Sequence, residues 1–227
     1  MQLRYKLCAL RIAIALVASS VNAEYQDNYY FNDMFWYAKS TSGIENIIQN
    51  GNEVTFKLIS DICINDRDND CGRDILRNQL QQKHSDAKLN VPAKYSFEFK
   101  KENMHGTMLK IWELKPFGGN TNTVPTISIN TTWINVKYSN DHDMSNTAHK
   151  DFTFIPNVWN NIIVETLQTT NDNGYVIIKL NNKIVFEYHG QTSYHHRFPL
   201  QYWIGPYICC GHPDDEPNHK IMYKNIS

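Results

Sequence analysis

Trp159-Asn160-Asn161-Ile162-Ile163-Val164 opens a run that continues to Leu167 and is broken by Thr169-Thr170-Asn171-Asp172-Asn173-Gly174. Two more apolar-rich runs, 175–180 and 183–188, follow with only Asn181-Asn182 between them. Runs this short, rich in Ile, Val, Tyr and Phe and bounded by turn residues, are strands. A two-residue connection between strands needs positive φ, and Asn tolerates it. The stretch therefore predicts antiparallel strands whose Ile and Val side chains pack one face on a second sheet.

The same pattern continues outward. Residues 54–59 alternate, with Val54, Phe56 and Leu58 against Thr55, Lys57 and Ile59, and 95–100 alternate more cleanly. Further strand candidates are 108–114, 126–129, 133–138, 151–154, 201–210 and 220–226. Strands of this length, with turns every 8–12 residues, predict an all-β fold: a two-sheet antiparallel β-sandwich of jelly-roll type, from about residue 45 onward. Only 31–38, short and aromatic, and 74–83, which fits helix and strand equally, offer helical patterning. No internal repeat or low-complexity linker divides the chain, so residues 24–227 are expected to form one domain.

The chain has 227 residues, 41% of them hydrophobic, enough for a core of ordinary size. Mean hydropathy is −0.51, and no apolar stretch beyond residue 23 is long enough to span a bilayer. Lys and Arg (22) nearly balance Asp and Glu (23), which argues against a nucleic-acid binder with a basic face. Residues 1–23 read as a signal peptide: Arg4, Lys6 and Arg11, an apolar run at 12–18, and small residues up to Ala23. Its removal leaves 204 residues with 19 basic and 23 acidic side chains, a charge of −4. A secreted or periplasmic protein with no membrane span is the expectation.

Export makes the cysteines meaningful. Cys8 leaves with the signal; Cys63, Cys71, Cys209 and Cys210 remain, and three pairings are open. A local Cys63–Cys71 bridge is the simplest, and crossing of each to Cys209 or Cys210 is the alternative. Asn130-Thr131-Thr132 and Asn225-Ile226-Ser227 are glycosylation sequons in a eukaryotic host.

The pattern of 159–188 resembles concanavalin-like and laminin-G-like sandwiches. Three further pieces narrow the likeness. Arg77-Asn78-Gln79-Leu80 comes first, the strand pair 95–99 and 109–115 follows, and Gln201-Tyr202-Trp203-Ile204-Gly205-Pro206-Tyr207 comes near the end. This order resembles secreted jelly-roll polysaccharide lyases of the heparin-lyase-like and alginate-lyase-like type. Those enzymes carry Arg-x-Glu, Gln-x-His and Tyr-Phe-Lys-x-Gly-x-Tyr strands on one concave face. Met222-Tyr223-Lys224-Asn225-Ile226 looks like the closing strand of that fold, so the likeness extends over roughly residues 50–227. Gln79 replaces the usual Glu. Gln-x-His becomes Ile111-Trp112-Glu113 or, in the other register, Lys110-Ile111-Trp112. Trp203 stands where Lys is usual.

Lyases of this type cut uronic-acid chains by β-elimination. A group neutralises the uronate carboxylate, a base takes the C5 proton, and an acid protonates the leaving oxygen. The resemblance implies Arg77 and Gln79 at the carboxylate and Tyr207 as acid, with base as its second role. His195, within Tyr194-His195-His196-Arg197, replaces the missing base from a loop, with His196 beside it. Trp112, Glu113, Trp203 and Tyr202 are expected to line the groove, the aromatics because sugar rings stack on flat apolar faces. Arg77, Gln79 and Tyr207 should share one face, with Gly205 beside Tyr207 leaving space for a sugar ring.

Other chemistries fit less well. Asp66-Arg67-Asp68-Asn69-Asp70 begins like a calcium loop but has Cys71 and Arg77 where Gly and Glu are required. His212–His219 reads as an acidic, proline-bearing loop rather than a metal site. No Gly-Asp-Ser-Leu or Gly-x-Ser-x-Gly context supports a serine esterase, and Glu98, Glu113 and Glu165 form no paired-acid motif for a glycosidase. No metal or cofactor is implied. Two readings result: a secreted lyase acting on an acidic polysaccharide, and a glycan-binding jelly roll without catalysis.

Overall fold

Among the described residues every element is a β-strand apart from one 3-10 turn at Ile44–Asn46. The computed structural model describes residues 28–31, 33–59, 70, 72, 75–82, 88–102, 108–116, 125–130, 132–139, 147–192, 200–208 and 218–227. The strands are β1 (Asn28–Phe31), β2 (Met34–Ser40), β3 (Ile47–Asn50), β4 (Glu53–Leu58), β5 (Leu76–Gln82), β6 (Pro92–Glu102), β7 (Leu109–Pro116) and β8 (Thr126–Ile129). They continue with β9 (Trp133–Ser139), β10 (Thr147–Thr153), β11 (Asn160–Leu167), β12 (Tyr175–Leu180), β13 (Lys183–His189), β14 (Leu200–Ile208) and β15 (His219–Lys224).

They form two antiparallel sheets. The eight-stranded sheet has the order β1-β2-β5-β14-β7-β8-β9-β10, and the seven-stranded sheet β13-β12-β11-β6-β15-β4-β3. Strands distant in sequence are neighbours in the middle of each sheet, β2-β5-β14-β7 and β11-β6-β15-β4, as in a jelly roll, and the fold class expected from the sequence is the one observed. Asn181 and Asn182 take φ of 50° and 67° between β12 and β13, the conformation that a two-residue hairpin needs.

Period-two alternation builds the core. From the seven-stranded sheet come Phe97 and Phe99 of β6, Ile162 and Val164 of β11, Val54 and Phe56 of β4, and Tyr223 of β15. The eight-stranded sheet answers with Trp36, Leu80, Trp112, Tyr202 and Ile204. Phe56 and Tyr223 meet edge to face at 5.3 Å, and Trp36 meets Tyr202 at 5.2 Å, geometries favoured by the ring quadrupoles.

Both stretches that offered helical patterning contain strands. Residues 31–38 lie in β1 and β2, where buried Trp36 and Ala38 alternate with Phe35 and Tyr37 in strand period. Residues 74–83 contain β5, which is buried on both faces. The sandwich accordingly starts at residue 28 rather than near 45. The signal segment 1–23, all five cysteines, residues 193–199 with both histidines, and 209–217 lie outside the described residues.

Candidate functional site

The eight-stranded sheet departs from the usual antiparallel arrangement, in which the face turned away from the core is solvated. Its central strands β5, β14 and β7 bury polar side chains there. Gln79 is 1% exposed, Glu113 and Trp203 4%, and Arg77 8%. Buried polar groups are the informative kind.

Register assembles the site. Tyr207 of β14 stands opposite Arg77 of β5 on one side and Lys110 of β7 on the other. The Arg77 guanidinium carbon is 5.9 Å from the Tyr207 ring centroid, and Lys110 Nζ is 4.8 Å from it, both cation–π distances. Arg77 Nε donates to Asp70 Oδ2 at 2.5 Å, and Nη2 pairs with the same oxygen. Lys110 Nζ donates to Glu113 Oε2 at 3.0 Å. Gln79 follows Arg77 on the same face, paired with Lys39 of β2. Its Nε2 and Oε1 are both buried and have no hydrogen-bond partner among the described residues. Farther along β14, the Trp203 ring has Lys39 Nζ at 5.1 Å and Lys115 Nζ at 5.8 Å, and its Nε1 donates to Gln201 Oε1 at 3.2 Å.

A β-bulge decides which residues of β7 reach this face. Pairing shifts between Lys110 and Trp112 toward β8, and between Ile204 and Tyr207 toward β14. Ile111 and Trp112 consequently both enter the core at 0% exposure, and Lys110 and Glu113 emerge together outside. The Ile111 carbonyl accepts a 3.1 Å bond from the Tyr223 hydroxyl of the opposite sheet.

Four sequence expectations are corrected by this geometry, and the first concerns Trp203, which is 4% exposed and offers almost no ring face to a sugar. Trp112 is a core residue, its ring 5.9 Å from those of Tyr95 and Tyr202, so it offers no face to a sugar. Tyr202 is 1% exposed within the same aromatic cluster, and burial pushes its hydroxyl far above the ordinary phenol range. Gly205, at φ 111°, does not leave space on the outer face. A Cβ there would strike the Asn78 carbonyl and come within 2.9 Å of Phe56 Cε1, so the glycine allows β14 to pass close to β5 and the core.

Beneath the face, a buried polar network fixes β5. Asn78 Nδ2 donates to Ser42 Oγ at 3.0 Å and to the Lys57 carbonyl at 2.6 Å, and its Oδ1 accepts from Ser40 Oγ. The Thr41 and Arg77 backbones are joined at 2.8 Å, and Thr41 Oγ1 accepts the Arg77 N–H at 2.9 Å. Because side chains alternate, anchoring Asn78 inward aims Arg77 and Gln79 outward.

The face is electropositive. Burial holds the Lys115 ammonium below the ordinary lysine range; Glu113 opposes the shift, and Lys110, Arg77 and Lys39 add to it. Such an array can hold an anion, and Tyr207 places a phenol beside it. Sequence reasoning missed Lys110, Lys39, Lys115, Asp70 and Gln201. Lys110 was within sight, in one of the two β7 registers, but strict alternation read through the bulge. His195 and His196, expected to supply the base, lie outside the described residues.

No family model matches the chain, and no curated protein matches it by sequence. Solved structures do share its fold. An endo-β-1,4-glucuronan lyase from the fungus Trichoderma reesei superposes with a TM-score of 0.63 at 12% identity, covering 91% of this chain and 90% of that one. Alginate lyase A1-II′, a member of polysaccharide lyase family 7, gives 0.64 at 9% identity, covering 87% and 95%. The receptor-binding domain of botulinum neurotoxin C/D mosaic serotype gives 0.52 at 10%, covering 86% of this chain and 45% of that one. The fold of this chain is thus that of the jelly-roll alginate and glucuronan lyases, at low sequence identity.

Proposed function

We propose that the protein is an exported lyase that cleaves a uronic-acid polysaccharide by β-elimination on the outer face of the eight-stranded sheet. One observation carries the reading: Tyr207 lies between Arg77 and Lys110 on a buried polar face, next to a Gln79 amide with no partner among the described residues. A buried amide without a partner costs about 1–3 kcal/mol, and a ligand that accepts its hydrogen bond removes that cost.

In this reading the Gln79 amide, Arg77 and Lys110 hold the uronate carboxylate. They stabilise the negative charge that develops when the C5 proton leaves. The C5 electrons form the C4–C5 double bond, the C4–oxygen bond breaks, and the Tyr207 hydroxyl delivers a proton to the leaving oxygen. Asp70 and Glu113 hold Arg77 and Lys110 in place and do not touch substrate. The base is assigned to His195.

The test is incubation of the purified protein with glucuronate, mannuronate, guluronate and galacturonate polymers while following the ultraviolet absorbance of the unsaturated uronate end. Growth of that band in the parent protein but not in Tyr207→Phe is the expected result. No product from any polymer would overturn the elimination chemistry. A second reading, glycan binding without turnover, has its own support: Arg77 and Lys110 are each already paired with a carboxylate of this chain.

A further inference from the structure

The outer face carries a second group of charges several residues from Tyr207. Along β14, Trp203 precedes Tyr207 by four positions and pairs with Glu113 of β7, where Tyr207 pairs with Lys110. Lys115 of β7 and Lys39 of β2 both bring their ammonium groups to the Trp203 ring, at 5.8 and 5.1 Å. Lys115 has no carboxylate partner among the described residues. The nearest acid on its own strand, Glu113, spends its Oε2 on Lys110 at 3.0 Å. Burial and the charges of Lys110, Arg77 and Lys39 all disfavour the Lys115 ammonium, and Glu113 only partly offsets them. Trp203 itself is 4% exposed, so its ring has little surface left for a sugar and serves instead as a plate under the two ammonium groups.

We propose that Lys115, with Lys39 across the Trp203 ring, seats a second carboxylate of the polymer, on a sugar other than the one that reacts at Tyr207. This rests on the uronate reading of the face and narrows it. The preferred chain carries acidic groups on nearby residues, and an isolated uronate in a neutral chain fills only the seat at Tyr207.

The experiment measures binding of oligoglucuronate and oligomannuronate, and of their carboxyl-reduced neutral counterparts, to the full chain by calorimetry and tryptophan fluorescence, alongside turnover. Lys115→Met should weaken acidic-oligomer binding by about tenfold, the worth of one charge-assisted contact. It should raise KM while kcat stays within about twofold, and flatten the salt dependence of binding. Lys115→Arg, which keeps the charge, should restore affinity and thereby exclude a folding defect. Unchanged acidic-oligomer affinity in Lys115→Met, or an equal loss for the neutral oligomer, would overturn the seat. Binding that depends on Lys115 without any unsaturated product retires the elimination chemistry and leaves the seat standing. Turnover with an unaltered KM in the variant does the reverse.

Discussion

Gln79 separates function from stability within a single side chain. Its amide is buried without a partner among the described residues, so Gln79→Leu, of similar size, removes an unsatisfied group from the fold. The variant should be as stable as the parent or more stable by about 1 kcal/mol, as read by urea denaturation, while turnover of uronate polymers falls. A drop in stability would mean that the amide has a structural role. The Asp70–Arg77 pair behaves oppositely. Both side chains are at least nine-tenths buried, so truncating one takes a charge partner from the other. Asp70→Ala should therefore lower stability, by at most about 3–5 kcal/mol, and loosen Arg77 beside Tyr207, whereas Tyr207→Phe should leave stability nearly unchanged.

At the scale of elements, the legible features were those fixed by local chemistry. Alternation gave β4, β6, β11, β12 and β13, and Asn181-Asn182 gave the hairpin because only residues tolerant of positive φ fit there. The register of β7 was not legible, because period-two reading fails where a bulge inserts one residue. That failure misplaced Trp112 and hid Lys110. The opposing Ile111 carbonyl, satisfied by Tyr223 from 112 residues away, has no local signature. Nor does Gly205, whose requirement comes from Asn78 and Phe56 on other strands. The Arg77–Tyr207 juxtaposition, by contrast, followed from the motif order. Both bulge supports can be tested. Tyr223→Phe leaves the Ile111 carbonyl without its phenol donor and should cost about 1–3 kcal/mol. Because the bulge places Lys110 beside Glu113, the same variant should also lower turnover, although neither altered atom belongs to the outer face. Stability loss without an activity change would show that the bulge holds its shape unaided. Gly205→Ala combines a strained φ with a core clash and should lower stability by more than the roughly 1–3 kcal/mol of backbone strain alone.

For the whole molecule, the sandwich buries phenols between its sheets, which sets its limit in alkali. Burial raises the Tyr202 and Tyr223 hydroxyls well above the ordinary value near 10, with the largest effect in both cases coming from loss of water. Below pH 10 folded and unfolded chains both keep these protons, and the contribution to stability is fully present. Above it the unfolded chain loses them while the folded chain retains them. The unfolded state then binds fewer protons, and stability falls as pH rises. Each such group removes about 1.4 kcal/mol per pH unit, so two remove nearly 3 over each unit above 10. Against a typical domain stability of about 5–15 kcal/mol, the protein should unfold cooperatively two or more units above that point. Far-ultraviolet circular dichroism and tyrosinate absorbance should change together in the transition. Tyr202→Phe keeps the ring among Trp36, Tyr95 and Trp112 and removes one titrating group, so it should move the midpoint to higher pH. Tyrosinate absorbance that reached its full amplitude while the strand signal persisted would contradict the argument, because it would mean that the phenols between the sheets ionise without the sheets separating.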